Sequence, residues 1–141
     1  MFRPWLRFAS RLMPGGKLPR PDAEMVILRV AALAPSEYEW GHHDRIARRF
    51  GLDGAAIARV RDGADANGWS PRQVAILRAV DELHATRTLS DGAWDSLEAA
   101  GLSETELIEL PMLVGHYEML AMTLNALRVR PDRFRRASPS A

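Results

Sequence analysis

Hydrophobic positions along the chain recur at intervals of three and four, and no alternating run of more than a few residues interrupts that rhythm. The pattern predicts helices throughout. Pro4 can open a short amphipathic helix whose apolar side is Trp5, Leu6, Ala9, Leu12 and Met13, stopped by Gly15 and Gly16. After KLPRP, Asp22 can cap a helix reaching about residue 34, with Ile27, Leu28 and Ala31 on one stripe and Glu24 on the same stripe. Pro35 ends it, and Ser36 can cap the next helix, which runs to about residue 50 before Gly51. Short helices fit LDGAAIARVRDG and SDGAWDSLEAAG. Between them SPRQ, residues 70–73, supplies an N-cap Ser, a Pro at the first helical position and a Gln at the third, ahead of Val74, Leu77, Val80 and Leu83. SETE, residues 103–106, is a second capping box and opens a long apolar helix over about 104–129, which Pro111 should bend unless it falls within the first turn or two. The expected fold is an all-α helical bundle without a solenoid repeat.

Residues 107–127 are so apolar that the helix they form needs cover on nearly every side. A chain of 141 residues builds one domain with a real core, but a single bundle of that size is hard pressed to supply all the cover, so self-association is expected. His116, Glu118 and Asn125 interrupt the run, which falls short of the ~18 uninterrupted apolar residues of a membrane span. The Arg-rich N-terminus lacks the apolar centre and small-residue cleavage site of a secretion signal, which makes the cytoplasm the expected compartment.

The net charge of +1 hides a division. Residues 1–21 carry five Lys or Arg and no acid, and residues 128–141 carry five Arg against Asp132 alone. These ends read as solvated, with neither a nucleic acid nor a membrane as partner, because no base-stacking aromatic array accompanies them. The chain has no cysteine, which removes disulfides, thiolate nucleophiles, thiol redox cycling and Cys-bound zinc.

Candidate chemistry gathers in SEYEWGHH, residues 36–43. On the helix opened by Ser36, residues Glu39, His43, Ile46, Ala47 and Phe50 form one inward stripe, while Asp44, Arg45, Arg48 and Arg49 form a solvated face. His42 lies between the two and is given no role. Two readings of Glu39 stand side by side. Ser36-x-x-Glu39 is a capping-box pattern in which the acid only serves the helix start. Alternatively Glu39, His43 and Glu24, on apolar stripes of consecutive helices, are desolvated together, which is costly unless they are hydrogen-bonded and is typical of functional sites. His116 and Tyr117 interrupt the apolar face of the long helix and can close the same cavity, although a His and a Tyr that merely satisfy the core fit equally well. Tyr38 and Trp40 can supply pocket walls.

With those residues in view, the chain resembles the carboxymuconolactone decarboxylase and alkylhydroperoxidase D superfamily, over roughly residues 18–130. The likeness rests on Glu24, Ser36, Glu39 and His43 at the motif spacing, and on the framing segments MVILRVAALAPSEYEWGHHDRIARRFGL and LIELPMLVGHYEMLAMTLNAL. It implies an all-α subunit that assembles into trimers, hexamers or similar rings, or dimers. The chain then divides into an N-terminal arm (1–17), the helical domain (18–130) and a basic, disordered tail (131–141). Ser36 and Glu39 stand where the peroxidase branch carries its cysteines, so a peroxidase label carries over only at family level. Glu24 and His43 resemble the decarboxylase branch, which works without cysteine.

Three functions compete. The first is a lyase-like enzyme without cofactor, using Glu24, Glu39 and His43 for acid–base chemistry on a small organic acid, lactone or carbonyl compound, with Ser36, Tyr38, Trp40, His116 and Tyr117 around the substrate. The second is a non-catalytic ligand-binding or scaffold oligomer. The third is a metal-dependent enzyme, ranked last because neither HExxH nor paired Glu-x-x-His is present; no metal ligand is assigned. Asp81 and His84, on one helix face, read as a surface pair.

Overall fold

The structure is a computed structural model, and residues 2–131 are described. Among them are seven helices and no strand: α1 (Phe2–Leu12), α2 (Arg20–Leu33), α3 (Glu37–Arg49), α4 (Gly54–Asp62), α5 (Pro71–Thr86), α6 (Asp91–Ala99) and α7 (Glu104–Ala126). The expected all-α bundle is what the chain forms. Most of the tail, residues 132–141, lies outside the described residues.

Both capping boxes read from the sequence form. Ser70 accepts from the Gln73 amide while the Gln73 side chain accepts from the Ser70 amide, and Ser103 and Glu106 repeat the arrangement at α7. Asp53 and Ser90 cap α4 and α6 through the amides of Ala56 and Ala93. Asp22 does not cap α2. That helix begins at Arg20 behind Pro19, because Pro21 is set for a first turn, and Asp22 is buried instead against Arg72. Helix α7 runs on through Pro111, which has no amide to give the Leu107 carbonyl.

Helix α2 is the centre of the bundle and packs against α3, α4, α5 and α7. Met25, Val26, Ile27, Leu28 and Val30 are all at most 1% exposed, so nearly its whole circumference is enclosed. Within this chain α7 is covered only in part: it buries Leu107, Leu110, Leu113, Val114, Tyr117 and Ala121 but leaves one side open. Helix α1 packs on α7, with Leu12 in the common core and Trp5 and Ala9 half-buried; Leu6, expected on its inner side, is exposed.

Two arginines tie α2 to its neighbours. Arg72 of α5 pairs with Asp22 at 2.8 Å and with Glu106 at 2.5 Å, joining α2, α5 and α7. Burial works to raise the Glu106 carboxyl, but the Ser103 amide and hydroxyl and then Arg72 outweigh it and hold the group below its ordinary value. Arg29 of α2 pairs with Asp81 and donates to the carbonyls of Val60 and Arg61 at the end of α4. Gly63 follows with φ 81°, and a Cβ there would sit 2.7 Å from an Arg29 nitrogen, so a side chain meets both backbone strain and the guanidinium.

Truncating Leu110, which is fully buried, should cost about 2–5 kcal/mol, whereas Ser103→Ala should cost about 1 kcal/mol, the worth of one helix cap. Urea unfolding of both variants checks the ranking; equal losses would contradict the core assignment.

Candidate functional site

Helices α2 and α3 lie side by side, and their inward stripes put Glu24 and His43 in contact. Glu24 is fully buried, and its Oε2 lies 2.7 Å from His43 Nδ1. The carboxylate accepts, so Nδ1 carries the proton and Nε2 becomes the nitrogen that Glu24 leaves available. On the other side of the carboxylate, Arg20, one turn earlier on α2, brings Nη2 to 2.7 Å from Oε1. That contact is ionic and lies outside hydrogen-bond geometry, so Oε1 and the Arg20 Nε both remain without a hydrogen bond. The Arg20 guanidinium also lies over the Phe50 ring, 4.9 Å from its centroid.

Glu39 settles the choice between cap and core. The Ser36 amide donates to the Ala31 carbonyl at 2.9 Å, and no side-chain cap bond forms at Ser36. The Glu39 carboxyl, 3% exposed, turns inward with neither oxygen hydrogen-bonded. Burial pushes it up to about 7, against a smaller downward pull from the Ser36 hydroxyl, which lies near without meeting hydrogen-bond geometry. The inner stripe ends sooner than expected. Ile46 is half-buried and Phe50 exposed, because α3 stops at Arg49 and Phe50 is its C-cap.

From α7, Tyr117 meets His43 edge to face with ring centroids 5.0 Å apart. Burial first, and then the charges of Glu24 and Glu39, push its hydroxyl well above the ordinary tyrosine range, with Arg20 opposing; it stays a neutral O–H. His116 lies against Tyr117, and burial lowers its pKa, leaving the ring neutral with Nδ1 unpartnered. Trp5 and Phe8 of α1 roof His116, at centroid distances of 5.8 and 5.6 Å.

Six of the eight expected residues therefore converge: Glu24, Ser36, Glu39, His43, His116 and Tyr117. The other two do not wall the cluster as expected. Trp40 turns toward α4, where the Arg61 guanidinium lies 3.7 Å over its ring, and Tyr38 is half-buried, one residue off the inward stripe. Asp81 and His84 do not pair with each other, since Asp81 meets Arg29 and His84 meets Glu118 at 2.7 Å. Three participants were missed: Arg20, Trp5 and Phe8. Only Arg20 left a signal, one turn before Glu24. Among the described residues no group of three or more acids or histidines is arranged to hold a metal ion. A cavity of about 690 Å³ lies elsewhere, between α5 and α6, lined by Trp69, Val74, Arg78, Ala93 and Ala100 among others.

The pattern that describes the carboxymuconolactone decarboxylase family matches residues 1–82, which include Glu24, Ser36, Glu39 and His43. The chain belongs to that family. Its fold is that of alkylhydroperoxidase D-like proteins. A protein of unknown function from Agrobacterium tumefaciens superimposes with a TM-score of 0.85 at 16% identity, over 93% of this chain and 90% of that one. An uncharacterized peroxidase-related protein from Silicibacter sp. TM1040 gives 0.85 at 15% identity, over 93% and 70%. An uncharacterized peroxidase-related protein with an alkylhydroperoxidase AhpD core, from Ralstonia eutropha JMP134, gives 0.81 at 16% identity, over 92% and 68%. Among curated proteins none matches. No helix among the described residues is long and apolar enough to cross a membrane.

Stability should report the Glu39 environment. Its folded pKa of about 7 exceeds the ordinary 4.5, so the folded state holds the proton more tightly. The associated stability is fully present below about 4.5 and is lost as pH rises toward and through 7. Glu39→Gln should therefore gain in melting temperature relative to wild type between pH 5 and pH 8. A difference that does not change with pH would place Glu39 in water.

Proposed function

We propose that the cluster is a cofactor-independent acid–base centre acting on a small organic acid, lactone or enolisable carbonyl compound. One observation carries this reading. Among the described residues, every buried side-chain nitrogen or oxygen without a hydrogen-bond partner belongs to this cluster or to the ring stacked on it: Trp5, Arg20, Glu24, Ser36, Glu39 and His116. Unpaired buried polar atoms are costly and rare, and their concentration at one place marks a position where a polar molecule completes the bonding.

The two glutamates take different parts. Glu24 is held between Arg20 and His43 and positions the imidazole, so that Nε2, the nitrogen without the proton, can accept a proton from the substrate. Glu39, with a pKa of about 7, both gives and takes a proton near neutral pH. In a decarboxylation, the electron pair of the breaking C–C bond passes into the neighbouring carbonyl or alkene, and Glu39 then delivers a proton to carbon. Tyr117 contributes a neutral hydroxyl. Thiol peroxidase chemistry has no atoms to run on, because the chain has no cysteine. The non-catalytic reading keeps one observation in its favour: the 690 Å³ cavity lies away from the cluster and suits a ligand-binding protein.

The test is a turnover screen over β-keto acids, unsaturated lactones, enolisable carbonyl compounds and peroxides, with wild type beside His43→Ala and Glu39→Gln. Each substitution is expected to lower turnover of an acid, lactone or carbonyl substrate by about 10²-fold or more, with helicity retained by circular dichroism. Turnover unchanged in both variants would remove the cluster from the reaction, and peroxide turnover would overturn the assigned chemistry.

A further inference from the structure

Helix α6 is fastened to the bundle through Leu97, which is fully buried, and the side that it turns toward α5 carries Ala93, Ser96 and Ala99. Side chains that small normally let two helices close to contact. Here they leave a groove of about 690 Å³ between α6 and the stripe Val74, Ala75, Arg78 and Glu82 of α5. That volume falls within the ~300–1,000 Å³ of small-molecule sites. Trp69 forms part of the wall. Its indole N–H donates to the Gly63 carbonyl at 2.9 Å, and the Arg59 guanidinium lies 4.9 Å from the ring centroid, so the ring is fixed and its polar atom is spent. What it offers the groove is a flat apolar surface.

The other polar side chains around the groove are committed, with one exception. Glu82 accepts from the Ser90 amide at 2.7 Å and from the Ser90 hydroxyl at 3.3 Å, and the Ser96 hydroxyl donates to the Gly92 carbonyl at 2.7 Å. Arg78 is the exception. Its ion pair is a single approach of Nη2 to Asp65 at 3.4 Å, and the Asp65 side chain is 92% exposed. A pair so open to water holds its partners weakly. The planar Arg78 fork therefore keeps most of its five N–H donors for another acceptor.

An apolar wall with a fixed indole, and one guanidinium with donors to spare, suit a carboxylate carried on a ring. The two carboxylate oxygens match two parallel N–H groups of the arginine, while the ring covers Trp69 and the alanines. A cationic ligand is served less well, because Glu82 is the acid lining the groove and both of its oxygens are occupied by Ser90. We propose that the groove between α5 and α6 binds an aromatic carboxylic acid, its carboxylate on Arg78 and its ring against Trp69 and Ala93. None of Glu24, Glu39 and His43 lines this groove, and the proposal holds whether or not those residues are catalytic.

Calorimetric titration of the full chain with naphthoate tests it, with naphthamide and naphthylmethylamine as the neutral and cationic counterparts. Naphthoate is expected to bind at one site per chain, and Arg78→Gln is expected to weaken it about tenfold while leaving naphthamide unchanged. Ala99→Trp fills the groove and is expected to abolish binding of both. Ser96→Phe is a second filling variant, and because Ala99 and Ser96 are exposed, each takes a large side chain outside the core, with helicity retained by circular dichroism. No binding of naphthoate at about 1 mM, or binding that survives both filling variants, overturns the site. An equal effect of Arg78→Gln on acid and amide, or tighter binding of the amine, overturns the carboxylate assignment.

Discussion

A fully buried carboxylate is tolerated only where its charge is answered within a few ångströms, and the structure is organised around meeting that condition for Glu24. Arg20 meets it from one turn earlier on the same helix, and His43 meets it from the next helix. The first pairing is local and fixes nothing beyond α2. The second sets how α3 lies against α2, since a turn of slip along either helix would separate Oε2 from Nδ1 by about 5 Å and leave the buried carboxylate with Arg20 alone. The surrounding helices exclude water, and that exclusion is what gives the arrangement its chemical consequence.

The same exclusion acts differently on the second carboxyl. Glu39 has no arginine and no amide to accept from, so burial raises its pKa to about 7 where Glu24 is held by ionic partners. Two side chains of identical chemistry, one helix apart, thereby meet different surroundings, Glu24 between Arg20 and His43 and Glu39 with no ionic partner. Position decides the difference: a turn-earlier arginine is available on α2 but not on α3, where the residue one turn before Glu39 is Pro35.

Arginine also ties the frame together away from the cluster. Arg29 joins α2 to α5 and to the end of α4, and Arg72 joins α2 and α7 through α5, each by planar groups that reach two partners at once. A short bundle enclosing a helix with three ionisable residues in its first half gains directional contacts that apolar packing does not supply. The family pattern covers α2 and α3, which carry Glu24 and His43, and the chain has no cysteine.

Helix positions, capping boxes at Ser70 and Ser103, and the stripe linking Glu39 to His43 were legible in the chain, because each depends on residues within about two turns of one another. Glu24, on the preceding helix, was joined to Ser36, Glu39 and His43 by the family spacing. Three things were decided only in three dimensions. Asp22 went to Arg72 and not to a helix cap, since a partner fifty positions away is invisible to local pattern. Trp40 went to Arg61, and Trp5 and Phe8 came over His116, because which side of a helix meets which neighbour follows from packing angles. Which helix is enclosed followed in the same way: α2 is packed by four helices, while one side of α7 stays open.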